Sequence, residues 1–258
     1  MTFGEAVKLL DNEIIAIHGR VDDEWQLTLD DKAHVTNHTL DWDSTNNTLK
    51  VLDCIIEVRD AKLAIALLGN TFFMNERKYI HKTAVVEDGA IIGADCDIGP
   101  YVVIHKNVQV GNNVSIAAGS VIGGKGFGFV KKRNDEWLRF PQLGKVIIGD
   151  SVEIGANCTI DCGALSNTVI KRDVKINSSV HIAHNVEIGE HTIITANVNI
   201  SGSSIIGSNV WIGPGSTIRD HVKIADYAYI GIGSNVLKDI PPSEVWCGNP
   251  ARFLREKK

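Results

Sequence analysis

The stretch "IKRDVKINSSVHIAHNVEIGEHTIITANVNISGSSIIGSNVWIGPGSTIRDHVKIADYAYIGIGSNV", residues 170–236, decides the fold. Taken in steps of six from Ile170, it places eleven isoleucines and then Val236 in one unbroken register. Four residues after each stands a smaller residue, such as Val174, Val180, Thr192, Ser204 or Ser216. A helix repeats near 3.6 residues and a strand near 2, so neither alone gives a strict period of six. A hexapeptide period is that of a parallel β-helix, in which each hexad is a short strand and a corner. The branched residue points inward and the smaller one fits by the turn. Three hexads close a coil, so residues 18 apart stack at about 4.8 Å, the inter-strand spacing.

Outward from this stretch the same register extends to residue 80. Ile80, Val86, Ile92, Ile98, Ile104, Val110, Ile116 and Ile122 keep it; it breaks at "GGKGFGFVKKRNDEWLRFPQLGKV" and resumes at Ile148, Ile154 and Ile160. Four extra residues near 162–168 precede Ile170. These runs predict roughly seven to eight coils and a column about 35 Å tall. The excursion, residues 124–145, carries Phe127, Phe129, Trp137 and Phe140, which are costly to leave in water and so should pack on something. Its glycines match neither a dinucleotide fingerprint nor a P-loop, because no helix follows. A long loop on a regular scaffold either serves the site or caps an edge.

Residues 1–79 carry no hexads and read as a small α+β module. "FGEAVKLLDNE" is a short amphipathic helix, "NEIIAIHGRV" and "LKVLDCIIEV" are strands, and "RDAKLAIALLGNTFF" is a helix capped at Gly69. Residues 80–240 form the β-helix. In the tail, 241–258, Pro241 and Pro242 end the ladder, and one turn of helix is expected after Pro250.

Composition narrows the function. Aromatics are 6%, which suits a narrow β-helix interior, and the net charge of −5 without a basic block argues against nucleic acid as a partner. The N-terminus lacks a basic-then-apolar signal pattern, and no apolar run is long enough to span a bilayer. Five scattered cysteines form no CxxC pair, and Cys96 and Cys158 fall at the small-residue position as core thiols. A soluble cytoplasmic protein is expected.

A β-helix is a scaffold, so chemistry must come from outward polar residues. "HIAHNVEIGEH" holds His181, His184 and His191, with His221 further on. With Ile182 inward, His184 points away from the core. Asn185 stands beside it and Gly202 one coil above. A histidine facing a backbone amide can deprotonate an amine and hold a tetrahedral oxyanion. From position alone a bland solvent-facing histidine remains the commoner outcome.

The motifs "GKGFGF", "FPQLGKVIIGDSVEIGANCTIDCGAL" and "HIAHNVEIGEHT" come in this order and resemble UDP-3-O-acylglucosamine N-acyltransferase, over roughly residues 80–240. That resemblance implies a homotrimer of left-handed parallel β-helices with active sites between subunits. It implies His184 as the base, Gly202 as the oxyanion amide, and His221 as a second histidine near the site, where His181 and Asn185 also fall. In the N-terminal module "LDWDSTNNT" replaces the family's uracil motif; Trp42 could stack on a base there or be core. "VWCGNPARFLR" is similar to the close of acyl-CoA-dependent sugar acyltransferases rather than to a helical extension that grips acyl carrier protein. The first expectation is therefore N-acylation of a nucleotide-linked amino sugar for surface glycan or lipopolysaccharide synthesis. Acyl-CoA is the expected co-substrate, with no tightly bound cofactor and no metal. The alternative within the family is the lipid A enzyme itself, using an acyl carrier protein thioester. Outside it stand a γ-type carbonic anhydrase, a trimeric β-helix with interfacial zinc held by three histidines, and a non-enzymatic scaffold.

Overall fold

Successive turns of the column hydrogen-bond edge to edge in three parallel sheets, and a computed structural model of the chain shows how the hexads build them. It describes residues 2–257 apart from 11, 19–25, 29–36, 40, 44–47, 52–53 and 74–77. Two compact units are present, Met1–Arg77 and Lys78–Lys258.

In the second unit two-residue strands such as His181–Ile182, Glu187–Ile188 and Ile193–Ile194 lie one on each sheet. Ile182 pairs with Ile200 and Ile200 with Ile218, which is the expected 18-residue rung. Ile182, Ile188, Ile194 and Ile200 are fully buried, and so are the corner residues Val186 and Val198 to within 1%. At this position Thr192, Ser204 and Ser216 are equally buried, because each hydroxyl donates to a backbone carbonyl: Gly207, Arg219 and Gly231 at 2.8, 2.9 and 3.0 Å. A buried hydroxyl with a partner avoids the desolvation cost that would otherwise exclude it.

The corners impose a second pattern. Asn185, Ser203 and His221, stacked at one corner, all have positive φ, near +60°, as do His191 and Asn209 at others. Asn and His enter this left-handed region more readily than other residues with a side chain. His191 and His221 thus have a backbone reason to be where they are, whereas His184 does not.

The register breaks have clear structural counterparts. The excursion lies between paired Ile122 and Ile160, and the four extra residues between paired Ile160 and Ile182. Within the excursion Phe129–Lys131 and Trp137–Arg139 form an antiparallel hairpin. Its aromatics pack only in part: in the single chain Phe127 is 83% and Trp137 67% exposed, whereas Phe129 packs against Phe127 and the Arg139 guanidinium and Phe140 is half-buried. The tail also departs from expectation. After the prolines the chain rejoins the column as strand Glu244–Cys247, whose Trp246 pairs with Ile230 and is 5% exposed. The expected helical turn is instead strand Arg252–Glu256, folded back antiparallel on it. Prolines at 241 and 242 fall between rungs, so they interrupt the ladder without ending it.

In the first unit Phe3–Leu9 is a helix with a complete capping box, Thr2 and Glu5 each bonding the other's backbone N–H. A four-stranded antiparallel sheet runs in the order Ile14–His18, Cys54–Val58, Thr48–Val51, Asp41–Asp43. "LKVLDCIIEV" is therefore two paired strands rather than one. The helix Ala61–Leu68 begins at the Asp60 side-chain cap and ends at Gly69, the expected C-cap, whose right-handed backbone leads into a π-helical turn, Gly69–Phe73. Leu10, Leu49, Ile56, Val58 and Leu68 form this unit's own core.

Candidate active site

The site grows from one corner of the column, just after strand His181–Ile182. His184 Nδ1 lies 2.9 Å from Asn185 Oδ1. The orientation of that carboxamide is settled by its other partners. The Ala164 N–H donates to Oδ1 at 3.1 Å, so this atom is the oxygen, and Nδ2 donates to Ser166 Oγ at 2.6 Å. An oxygen can only accept, so His184 Nδ1 is the donor and carries the proton. In the neutral ring this tautomer leaves the lone pair on Nε2, the state a general base requires.

Ala164 and Ser166 belong to the four-residue insertion, which thus has a visible role. The Asn185 N–H also donates to Thr168 Oγ1 at 2.9 Å. The insertion is itself held by the foot of the excursion: the Leu143 N–H donates to Ala164 O and the Lys145 N–H to Asn167 Oδ1. Both irregularities in the repeat converge on the residue that orients His184.

The imidazole is enclosed by two glycines. A Cβ on Gly202 would lie 2.6 Å from His184 Cε1 and 2.9 Å from Nε2, so the ring rests against that Cα. A Cβ on Gly126, in the excursion, would lie 2.9 Å from His184 Cβ. Neighbouring amides on the Gly202 coil are spent, Ser201 on Ile218 O and Ser203 on His184 O. The Gly202 N–H takes no acceptor among the described residues. A free amide beside a base is the arrangement an oxyanion hole uses.

His181 accompanies His184, its Nδ1 at 2.8 Å from Thr159 Oγ1. Its Nε2 is 4.0 Å from Asp161 Oδ2, a residue that sequence reasoning passed over although it stands in the quoted "TIDCGAL". Burial pushes the Asp161 carboxyl upward, while His181 and His184 push it back. His221 stands at the same corner two coils above Asn185, 74% exposed, with Asp220 Oδ2 3.9 Å from its Nε2. His191 is elsewhere, at the next corner, bonded to Asp173 Oδ2 at 2.8 Å. Within one chain the four histidines fall at two corners of the column. Among the described residues of one chain, no three His, Cys, Asp or Glu side chains converge to hold a metal. The backbone of Trp42 pairs with Leu49 in the N-terminal sheet, and its side chain lies outside the described residues.

Below the corner, a cleft of about 660 Å³ is lined by Glu87, His105, Lys106, Lys125, Gln142 and Cys162 among others. It places polar and cationic groups next to the strand that carries Asp161.

Comparison with known proteins agrees with this architecture. The "Bacterial transferase hexapeptide (six repeats)" profile matches residues 89–124, 167–202 and 203–238. A Coxiella burnetii protein named UDP-3-O-acylglucosamine N-acyltransferase is 43% identical over 144 residues, covering 49% of this chain and 42% of that one. One of the same name from Pseudomonas paraeruginosa is 51% identical over 94 residues, covering 36% and 26%. The solved UDP-N-acetylglucosamine acyltransferase from Campylobacter jejuni superposes with a TM-score of 0.56 at 25% identity, over 69% of this chain and 75% of that one. The chain is a hexapeptide-repeat protein built as a parallel β-helix. Within that class its matched segments are similar to proteins named UDP-3-O-acylglucosamine N-acyltransferase. The match spans less than half the length of the Coxiella relative.

Proposed function

We propose that this protein is an N-acyltransferase that moves an acyl group from a thioester to the amine of a nucleotide-linked acylglucosamine. One observation carries the reading: His184 donates through Nδ1 to Asn185 Oδ1 and turns Nε2 toward Gly202, whose N–H is unspent. The amine attacks the thioester carbonyl as Nε2 takes its proton. Negative charge gathers on the carbonyl oxygen, where the Gly202 N–H stabilises it. As the tetrahedral intermediate collapses the C–S bond breaks and His184 returns the proton to the leaving thiolate. A C–N bond has replaced a C–S bond, and no covalent enzyme intermediate is needed.

The names of the relatives favour an acylated glucosamine as acceptor, the substrate that the sequence ranked second. The sequence's first expectation, another nucleotide-linked amino sugar served by acyl-CoA, rests on "LDWDSTNNT" and "VWCGNPARFLR". Both readings use the same base and the same amide, and one assay separates them. The purified protein is offered UDP-linked 3-O-acylglucosamine, or other nucleotide-linked amino sugars, with either acyl-CoA or acylated carrier protein. Mass spectrometry follows the gain of one acyl group and the loss of the free amine. Acylation of the UDP-linked acylglucosamine supports the proposal. No acylation of any amino sugar from either donor would overturn it.

A further inference from the structure

The acyl transfer described above uses His184 and Gly202 and leaves a neighbouring carboxylate without a task. Asp161 follows the inward Ile160 on strand Thr159–Cys162. Because Ile160 pairs with Ile182, Asp161 falls one coil below Ala183, the residue just before His184, while Thr159 two positions earlier lies below His181. Its side chain is only 17% exposed, and no hydrogen bond among the described residues holds the carboxylate. A structural aspartate is ordinarily satisfied by backbone N–H groups, as Asp60 is at its helix cap. Asp161 faces instead His181, whose Nε2 is at 4.0 Å and whose ring is fixed from its other side by Thr159, and it also feels the charge of His184 on the coil above.

We infer that Asp161 is a positioning residue for the transfer: its carboxylate is the counter-charge for the imidazolium that His184 becomes on taking the amine proton, and His181 shares it. The inference rests on the reading of His184 as general base. A half-buried charge acts more strongly than one in water because less solvent screens it. A neutral imidazole gains little from the carboxylate and an imidazolium gains much, so the stabilisation grows along the reaction rather than in the resting enzyme. The four-residue insertion follows Asp161 directly and orients His184 through Asn185. One irregular coil therefore supplies both the ring's orientation and its counter-charge. The other charged groups around this corner are Lys125 on the adjoining strand, Arg139, whose guanidinium bonds Gly126 O at 3.2 Å, and the Asp220–His221 pair two coils up. None of these places a second anion on the coil that carries Asp161.

The test pairs a magnetic-resonance titration with kinetics on the full chain. The ring signals of ¹³C-labelled histidine are followed against pH in the wild type, Asp161→Asn and Asp161→Glu. His184→Gln and His181→Gln assign the signals. Losing the carboxylate removes a partner of the protonated ring, so the His184 signal should titrate about one pH unit lower in Asp161→Asn. The acidic limb of kcat should move down with it, kcat at its plateau should fall about tenfold, and KM should stay within about twofold. Asp161→Glu should recover most of both effects. An unmoved His184 titration in a folded Asp161→Asn protein would overturn the inference, as would a fall in kcat with the limb in place. Should the Asn variant not fold, Asp161→Ser takes its place with the same two outcomes. If the wild type acylates no amino sugar, the proposed function fails on its own, and the titration still decides whether Asp161 serves His184.

Discussion

The His184 imidazole lies against the Cα of Gly202, one coil up the column, so closely that a Cβ there would sit 2.6 Å from ring carbon Cε1. The contact is between a catalytic candidate and a residue 18 positions away, brought together by one turn of the β-helix. It explains why position 202 has no side chain.

Gly202→Ala should separate activity from stability. The clash is with a ring rather than with backbone, and Gly202 is not among the glycines with positive φ, so the ring can swing aside. Gly202 is buried, but because a side chain can give way we expect a loss of only about 1 kcal/mol, the low end for overpacking. The displaced base should lower kcat by about 10²-fold, the usual effect of roughly an ångström's misplacement. Chemical denaturation beside steady-state rates checks both. A rate within twofold of wild type would show that the contact has no part in the chemistry.

His184→Ala should lower the rate by about 10²–10⁴, the range for loss of a general base. The midpoint of thermal unfolding should move only a few degrees, because His184 is half-buried and lies outside the core cluster. His221→Ala should be milder. Its side chain is 74% exposed, and a corner that favours left-handed backbone accounts for part of its presence. Equal losses from the two variants would contradict this division of roles.

At the next corner, the hydrogen bond from His191 holds the Asp173 carboxyl below its ordinary value, with Lys175 assisting. A depressed carboxyl stabilises the fold above its unfolded value, near 3.9, and loses that contribution as pH falls through the lower folded value. Asp173→Asn should therefore unfold about 1–3 °C lower than wild type at neutral pH, since partly exposed ion pairs contribute little. The gap should close as pH falls through the lowered folded value of Asp173. Melting curves from pH 2 to 8 would show it, and a gap that persists in acid would mean that something other than charge is responsible.

Phe127 and Trp137 stand in solvent in the single chain, an exposure that assembly would relieve. With the homotrimer that the resemblance implies, sedimentation at micromolar concentration should report about 84 kDa, three times 28.1 kDa. Phe127→Ser with Trp137→Ser should shift the population toward monomer. A wild type that stays monomeric with full activity would exclude a site shared between subunits.

The column was legible in the sequence because a β-helix is nearly one-dimensional. Each hexad meets its own repeat one coil away, so periodicity alone fixes which residues face inward and that residue 202 lies above 184. The outward position of His184 and the candidacy of Asn185 followed from the same arithmetic. Periodicity says nothing where it stops. The 18-residue rule could not place Asp161 on the coil beneath Ala183 and near His181, since the insertion makes that rung 22 residues long. Nor could it bring Gly126 of the excursion onto the ring, or show that Ala164 and Ser166 turn the Asn185 carboxamide so that His184 keeps its lone pair. These contacts join segments whose spacing follows no repeat, and only hydrogen bonds and packing in three dimensions select them. The tail shows the same division. Two prolines in sequence read as an end, whereas the space above Ile230 and the open ladder edge drew Trp246 in as one more rung. Local sequence determined the repeating unit, and burial and hydrogen bonding between distant segments decided the site.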